Sequence, residues 1–183
     1  MNNFRYGFTL IELLVVVAII AILAGIAMPN LLTAQIRSKV ARVKADQRTI
    51  ATALEAYAAD ANKYPPSTLV PLFQRLIPLT TPVSYLTDIP KDIFNGIDLQ
   101  AGSFRIGGNF AYGATPIDAE SRYALASFGP DQRPDHFDIT FYPGYNKAPW
   151  EDSTSGSTYI RYDPTNGTVS AGDIWRTSDG PQE

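Results

Sequence analysis

Near its start the chain reads Gly7-Phe8-Thr9-Leu10-Ile11-Glu12, and residues 13–35, which follow, carry no charge. Glu12 is therefore a single carboxylate at the head of an otherwise apolar segment. Residues 13–32 are long enough to cross a membrane, which takes about 20 apolar residues. Because an ionised side chain in hydrocarbon costs about 2.5 to 3.5 kcal/mol or more, Glu12 needs a partner.

Three interpretations of this segment compete. A cleaved secretory signal would use Arg5 as its basic start and Gly25-Ile26-Ala27 as its cleavage site, but Glu12 lies where the apolar core should begin. A plain membrane anchor explains neither Glu12 nor Pro29, which removes a backbone hydrogen bond and is expected to kink or loosen the helix. The third interpretation is a short leader followed by a retained hydrophobic helix, and the sequence favours it.

Residues 7–16, Gly-Phe-Thr-Leu-Ile-Glu-Leu-Leu-Val-Val, resemble the class III leader of type IV pilins and pseudopilins. The resemblance implies that a prepilin peptidase cuts between Gly7 and Phe8 and N-methylates the new amine of Phe8. It also implies that Glu12 neutralises the Phe8 amine of a neighbouring subunit, which supplies the missing partner. We therefore expect a cleaved leader at 1–7 and a transmembrane and assembly helix at 8–30.

The charges that flank the apolar segment disagree with this topology. A basic cluster follows it and outnumbers Arg5, so the positive-inside rule would place the N-terminus outside the cytoplasm. The resemblance implies the reverse: a single-pass inner-membrane protein with a cytoplasmic N-terminus and a periplasmic head, or an extracellular head in a true pilin. We follow the leader because the peptidase of this family acts on the cytoplasmic side. The cluster consists of Arg37, Lys39, Arg42, Lys44 and Arg48.

Residues 31–62 show helical periodicity. Apolar residues recur at steps of three and four, with Gln47 interrupting one step, and the basic cluster lies mostly off this stripe, so one helix face should pack against a domain. The cluster is then a solvated or subunit-facing surface, with nucleic acid or lipid headgroups as the alternative. Tyr64-Pro65-Pro66 ends the helix. The stripe consists of Ile36, Val40, Val43, Ile50, Leu54 and Tyr57.

Residues 63–183 are predicted to form a loop-rich globular head. The chain has 14 prolines and 13 glycines, and it has no cysteine for a disulfide or a thiolate metal site. The pattern predicts an α+β fold, pilin-like, in which the long N-terminal helix packs on a small antiparallel sheet. We expect a short helix within 67–77, strands at 103–111, 122–128 and 137–142, and a last hairpin at 158–163 and 167–170.

Residues 85–96, Tyr-Leu-Thr-Asp-Ile-Pro-Lys-Asp-Ile-Phe-Asn-Gly, are similar to a loop of the major pseudopilin of type II secretion systems. The departures are Ile93 and Phe94, where that family shows Pro-Trp, and the extra Asn95. The similarity implies an ordered loop that leads into the sheet, and it favours the pseudopilin branch.

An acidic turn at 127–138 is a candidate calcium site. Calcium takes six to eight oxygen ligands, and Asp131, Asp135 and Asp138 with backbone carbonyls would supply them. Ser127, Gly129 and Asp131 resemble the calcium loop of major pseudopilins, although the residues that follow depart from its glycine-rich continuation. Solvated turn acids are the alternative, and Asp131 is the first ligand expected.

The chain offers little for catalysis. With no cysteine and the single His136, no convincing pair of nucleophile and base can be assembled, so we expect neither an enzyme nor an organic cofactor. Asn166-Gly167-Thr168 fits an N-glycosylation acceptor but is interpreted as a turn.

The sequence thus predicts a structural subunit that assembles through its N-terminal helix into a periplasmic pseudopilus of a type II secretion system. The expected partners are further copies of the chain in a helical filament, the prepilin peptidase, the inner-membrane assembly platform, other pseudopilins and the membrane, but not nucleic acid. A surface type IV pilus subunit for adhesion or motility is the alternative, and a secreted binding domain behind an ordinary signal is a third.

Overall fold

The structure, a computed structural model, describes residues 8–68, 72–95, 108–115, 120–132, 162–167, 170 and 172–181. It contains two compact units, Met1–Ser38 and Lys39–Glu183. In the described residues, the first unit consists mainly of the apolar part of one helix. The second holds the amphipathic part of that helix and the head.

The long helix, α1, covers Leu10–Ala61. It continues through Pro29, where Thr33 Oγ1 donates to the Pro29 carbonyl at 3.0 Å. It ends at Asn62, whose φ of 58° is left-handed, a conformation that Asn tolerates better than most residues. The predicted end before Tyr64-Pro65-Pro66 is confirmed, whereas loosening of the helix at Pro29 stays a prediction.

The predicted apolar stripe of α1 is confirmed inside the second unit. Val43, Ile50 and Leu54 are fully buried, and the whole basic cluster is exposed. Gln47 interrupts the apolar spacing, yet it is only 2% exposed, and its Nε2 donates to the carbonyl of Ile174 at 2.7 Å. Gln47 is therefore a polar anchor within the buried face of the helix.

Within the part of the head that the structure describes, the sheet has four antiparallel strands in the order β1-β2-β3-β4. The register pairs Ala111 with Ala126 and Ala126 with Trp175, so β2 is central between β1 and β3. These three residues form one buried cluster with Ala124 and Phe128. The strands are β1 (Ala111–Thr115), β2 (Arg122–Ser127), β3 (Ile174–Thr177) and β4 (Gly180–Pro181).

Only part of the strand prediction is confirmed. The strand at 122–128 exists as β2, but the first strand begins at Ala111, where the predicted run ended, because Asn109 forms only an isolated bridge to Lys91. Of the hairpin predicted at 158–163 and 167–170, the described residues 162, 163, 167 and 170 belong to no strand, and Pro164–Asn166 between them form a 3-10 helix capped by Asp163. The other residues of that hairpin are not among the described ones. Residues 137–142 lie outside the described residues. The prediction missed β3 and β4.

A short helix follows α1, as predicted, but it is a 3-10 helix, η1, that covers Leu72–Leu79. Ser67 does not cap it, because the Ser67 hydroxyl donates to the Ala114 carbonyl at 2.9 Å. Arg75 of η1 is 3% exposed, and its Nη1 donates to the Tyr112 carbonyl at 3.0 Å. Burial lowers the pKa of the Arg75 guanidinium to about 10, so it stays charged at neutral pH and holds η1 against β1.

The contact between Gln47 and Ile174 gives a testable prediction. Gln47→Leu should lower the free energy of unfolding by about 1 to 3 kcal/mol, because the buried Ile174 carbonyl loses its donor. The measurement is urea unfolding of the full chain in detergent, followed by tryptophan fluorescence. Gln35→Leu makes the same change at an exposed position of α1 and is the control; equal stability of the two variants would contradict the anchor role.

Candidate functional site

The first half of α1 presents a continuous exposed apolar surface. The large apolar side chains of this part of α1, and Phe8 just before it, are between 46% (Val16) and 80% (Leu10) exposed as far as Leu32. An 18-residue stretch of α1 has a mean hydropathy of 3.0 and is not buried, so the helix is long and apolar enough to span a membrane, as a signal sequence also is. An exposed surface of this kind requires lipid or a protein partner.

The start of this surface is built by Thr9 and Glu12. The backbone N–H of Thr9 donates to Glu12 Oε2 at 2.9 Å, and the Thr9 hydroxyl donates to the same oxygen at 2.6 Å. In return the Glu12 N–H donates to Thr9 Oγ1 at 3.3 Å. This reciprocal arrangement is a capping box, which satisfies N–H groups that the first turn of a helix leaves without partners.

The capping box gives Glu12 a partner inside its own chain, which the sequence analysis missed although the Thr-x-x-Glu spacing signals it. Thr9 supplies hydrogen bonds but no positive charge. The carboxylate lies in the first helical turn, where the helix dipole favours negative charge. Neutralisation by a cation from another chain remains compatible with this geometry. Phe8 is 75% exposed, and Gly7 lies outside the described residues.

A second polar site lies in the head around Asp92. This residue is 4% exposed, and its Oδ1 accepts hydrogen bonds from the Phe94 N–H at 3.0 Å and the Ser127 hydroxyl at 2.8 Å. Its Oδ2 accepts from the Phe128 N–H at 3.3 Å. Burial raises the pKa of Asp92, and these three hydrogen bonds oppose the rise by stabilising the charged form.

The Asp92 site joins the two head segments that resemble the major pseudopilin. Asp92 belongs to the 85–96 loop, and Ser127 begins the Ser-x-Gly-x-Asp segment. The loop is also fixed at its start, since the N–H of Leu86 donates to the Leu79 carbonyl and the Tyr85 hydroxyl donates to Asp60 at 2.8 Å. The loop is thus ordered at both ends by specific contacts.

Of the three predicted calcium ligands, only Asp131 is among the described residues. Asp131 lies in the turn after β2, where Gly129 has a φ of 69° and the Gln132 N–H donates to the Gly129 carbonyl at 3.1 Å. Asp135 and Asp138 lie outside the described residues. Within the described ranges, no group of three or more histidine, aspartate or glutamate side chains is arranged to hold a metal ion.

The N-terminal segment of the chain matches a known protein family. A family model described as "Prokaryotic N-terminal methylation motif" matches residues 2–28. The chain is 35% identical over 130 residues to the type IV wide pilus major component PilA4 of Thermus thermophilus, covering 70% of this chain and 96% of that protein.

The chain belongs to the type IV pilin family. It is therefore a pilin-like structural subunit, and this family is not a class of enzymes.

Members of both branches of the family are similar to the chain. It is 47% identical over 63 residues to the type IV major pilin protein PilA of Myxococcus xanthus, covering 34% of this chain and 29% of that protein. It is 44% identical over 59 residues to the type II secretion system core protein G of Pseudomonas aeruginosa, covering 32% of this chain and 42% of that protein. The matches thus span less than half the length of these two relatives. No solved structure matches the chain significantly.

The Asp92 site gives a pH-dependent prediction. Ser127→Ala removes a donor to a buried carboxylate and should cost about 1 to 3 kcal/mol of stability at about pH 7. The folded-state pKa of Asp92 lies above its ordinary value of 3.8, and loss of the Ser127 bond raises it further. The added penalty for the charged form is absent below the ordinary pKa and appears as the pH rises through the folded-state pKa.

The destabilisation by Ser127→Ala should therefore be smaller at about pH 4 than at about pH 7, since a larger fraction of Asp92 is protonated at the lower pH. Thermal unfolding of the full chain at both values measures it. Ser84→Ala, which removes an exposed hydroxyl, is the control. A loss that does not change with pH would show that Asp92 is not charged in the folded head.

Proposed function

We propose that the chain works as a filament subunit that is anchored in the membrane through α1 and assembles through the same surface. The capped start of α1 carries this proposal, because it presents one carboxylate beside a fully exposed apolar helix. Subunits wait in the membrane until neighbouring apolar surfaces replace lipid. The expected topology is a single pass with a cytoplasmic N-terminus and a head on the opposite side.

In this proposal a prepilin peptidase cuts between Gly7 and Phe8 and methylates the new amine. The amine of Phe8 then pairs with Glu12 of a neighbouring copy, so that a charge held at the start of an apolar helix becomes neutral in the bundle. Thr9 keeps the Glu12 carboxylate oriented at the first turn by the hydrogen bonds of the capping box.

The capping box makes a sharp test possible, because glutamine also forms it. Glu12→Gln should keep the helix start but remove the charge, and Glu12→Val should remove both. We expect both variants to insert and to be processed, and both to lose filaments, as scored by electron microscopy and by immunoblots of processed protein in the membrane. Normal filaments from Glu12→Gln would show that capping, and not charge pairing, is what assembly requires. Thr9→Ser, which preserves the capping box, is the control.

We place the filament in a type II secretion system as its pseudopilus, with the assembly platform and other pseudopilins as partners. The support is the hydrogen bond between Asp92 and Ser127, which joins the two segments that resemble the major pseudopilin. A surface pilus is the second candidate, favoured by the match to the wide pilus component of T. thermophilus, which covers 70% of this chain and so includes part of the head.

The Glu12→Val variant separates these two candidates in the source organism. Loss of a pseudopilus should leave exported proteins accumulated in the periplasm, as measured by mass spectrometry of periplasm and medium. Loss of a surface pilus should instead remove filaments that shear from the cell surface and leave secretion unchanged. Secretion at the unmutated level would contradict the pseudopilus assignment.

We also propose that the turn after β2 binds calcium through Asp131, with Asp135 and Asp138 as further ligands. A bound ion would close this turn in a head that has no disulfide. The chain's contribution is carboxylate and carbonyl oxygen, the ligands that calcium prefers.

Calcium binding predicts a change in thermal stability. Calcium well above its dissociation constant should raise the melting temperature of the full chain in detergent by about 5 °C over chelator, because the ion binds only the folded state. Asp131→Asn should abolish the rise, whereas Asp179→Asn, an exposed carboxylate paired with Arg122, should keep it. An equal melting temperature with calcium and with chelator would remove the site.

A further inference from the structure

In the second unit, Lys39–Glu183, here called the head unit, the basic and the acidic side chains of α1 lie in different parts of the helix. Residues 39–48 carry four basic side chains against the single acidic Asp46, whereas residues 49–61 carry Glu55 and Asp60 and no basic residue. The head unit therefore has a basic region at the start of its helix and an acidic region at the end. Such a distribution suits contact between different regions of two copies.

Lys44 and Arg48 form the core of the basic region. They lie four residues apart, so they share one helix face, and both are exposed. Two like charges at this spacing repel each other. Among the residues that the structure describes, no carboxylate lies within ion-pair distance of either side chain, whereas Arg42 pairs with Asp46 at 3.7 Å. The Lys44 and Arg48 face thus gains most from an acidic partner.

The C-terminal end of α1 is the complementary surface. Its last turn contains Asp60 and no basic residue, although a helix C-terminus favours positive charge. Asp88 is also exposed and lies in the loop that Tyr85 fastens to Asp60. The nearest cation in sequence, Lys63, is paired with Glu120 at 3.4 Å. Asp60 and the helix dipole make this end of α1 acidic, and Asp88 adds an exposed carboxylate in the loop that Tyr85 attaches to Asp60.

We propose that the Lys44 and Arg48 face of one copy docks on the acidic end of α1, at Asp60 and Asp88, in a neighbouring copy. This inference rests on the proposed function as a filament subunit. The contact joins two different surfaces, and a head-to-tail contact that does not close into a ring generates an open helical filament. It also gives the basic cluster a role beyond solvation.

Lipid headgroups suit this face less well than a second copy does. Lys44 and Arg48 follow Leu32 by 12 and 16 residues, which is more than three helical turns. The charge of a membrane surface acts within a Debye length of about 8 Å at physiological salt. Arg37 and Lys39 are closer to the apolar segment in sequence. Because Lys44 and Arg48 lie farther along the helix, a protein partner suits them better than lipid headgroups do.

The absence of cysteine from the chain allows a direct test by cross-linking. The full-length Arg48→Cys and Asp88→Cys variants are expressed together in cells that assemble the filament, and the membranes are oxidised. We expect a disulfide-linked dimer from the mixture and none from either variant alone, because the contact is between unlike surfaces. Arg42→Cys replaces Arg48→Cys in the control. No dimer from the mixture, a dimer from one variant alone, or an equal yield with Arg42→Cys would overturn the proposal.

Reversal of the charges of Lys44 and Arg48 provides a second test of the docking contact. Lys44→Glu with Arg48→Glu should lower filament yield about tenfold or more, because juxtaposed like charges cost several kcal/mol. Adding Asp60→Lys and Asp88→Lys to the same chain should restore the yield, and Arg42→Glu should change it little. Immunoblots of processed protein in the membrane show whether the variants fold and insert.

The outcomes separate this inference from the proposed function. Normal filaments from the Lys44→Glu and Arg48→Glu variant would overturn the docking contact and leave the filament function intact. If the charge-reversal variant is less abundant in the membrane and the cysteine variants form no cross-link, lipid is the partner of this face. That result would also overturn the docking contact. Absence of filaments from the unaltered chain would overturn the proposed function, and this inference with it.

Discussion

The head depends on the burial of one apolar face of α1. Val43, Ile50 and Leu54 are fully buried, and each such side chain stabilises the folded state by about 1.5 to 3 kcal/mol relative to exposure. Among the described residues the sheet has four short strands, and a small sheet gains stability by packing against a helix. Gln47 fixes the position of this packing, since its side chain must reach the Ile174 carbonyl. The helix through which assembly is proposed thus also organises the head.

A single carboxylate caps the start of α1, where a role in assembly is proposed for the same group. Hydrogen bonds from Thr9 place Glu12 at the first turn, where the helix dipole already favours negative charge. These bonds orient the carboxylate without neutralising it. The first turn of the helix is therefore stabilised by hydrogen bonds within one chain, while the remaining charge of Glu12 favours a cationic partner.

The chain has no cysteine for a disulfide, and buried polar groups join a loop of the head to the sheet. Asp92 accepts three hydrogen bonds and binds its loop to the end of β2. Gly129 then turns the chain with a φ of 69°, and a Cβ there would overlap the carbonyl oxygen of Gly172. Asp92 and Gly129 together position the turn that carries Asp131, where the calcium site is proposed.

The sequence by itself determined the leader motif, the extent of the long helix and its apolar stripe, because each depends on local spacing and on the conformational limits of proline. It also carried the capping box in the Thr9 to Glu12 spacing. Only the tertiary structure decided that Gln47 is buried, that Asp92 meets Ser127, and that β3 pairs with β2 at Ala126 and Trp175. These contacts join residues far apart in the chain, and a polar residue's burial depends on a partner that local pattern does not specify. The short β3 and β4 are stable only because neighbouring strands supply their hydrogen bonds, so the sequence alone could not show where they begin.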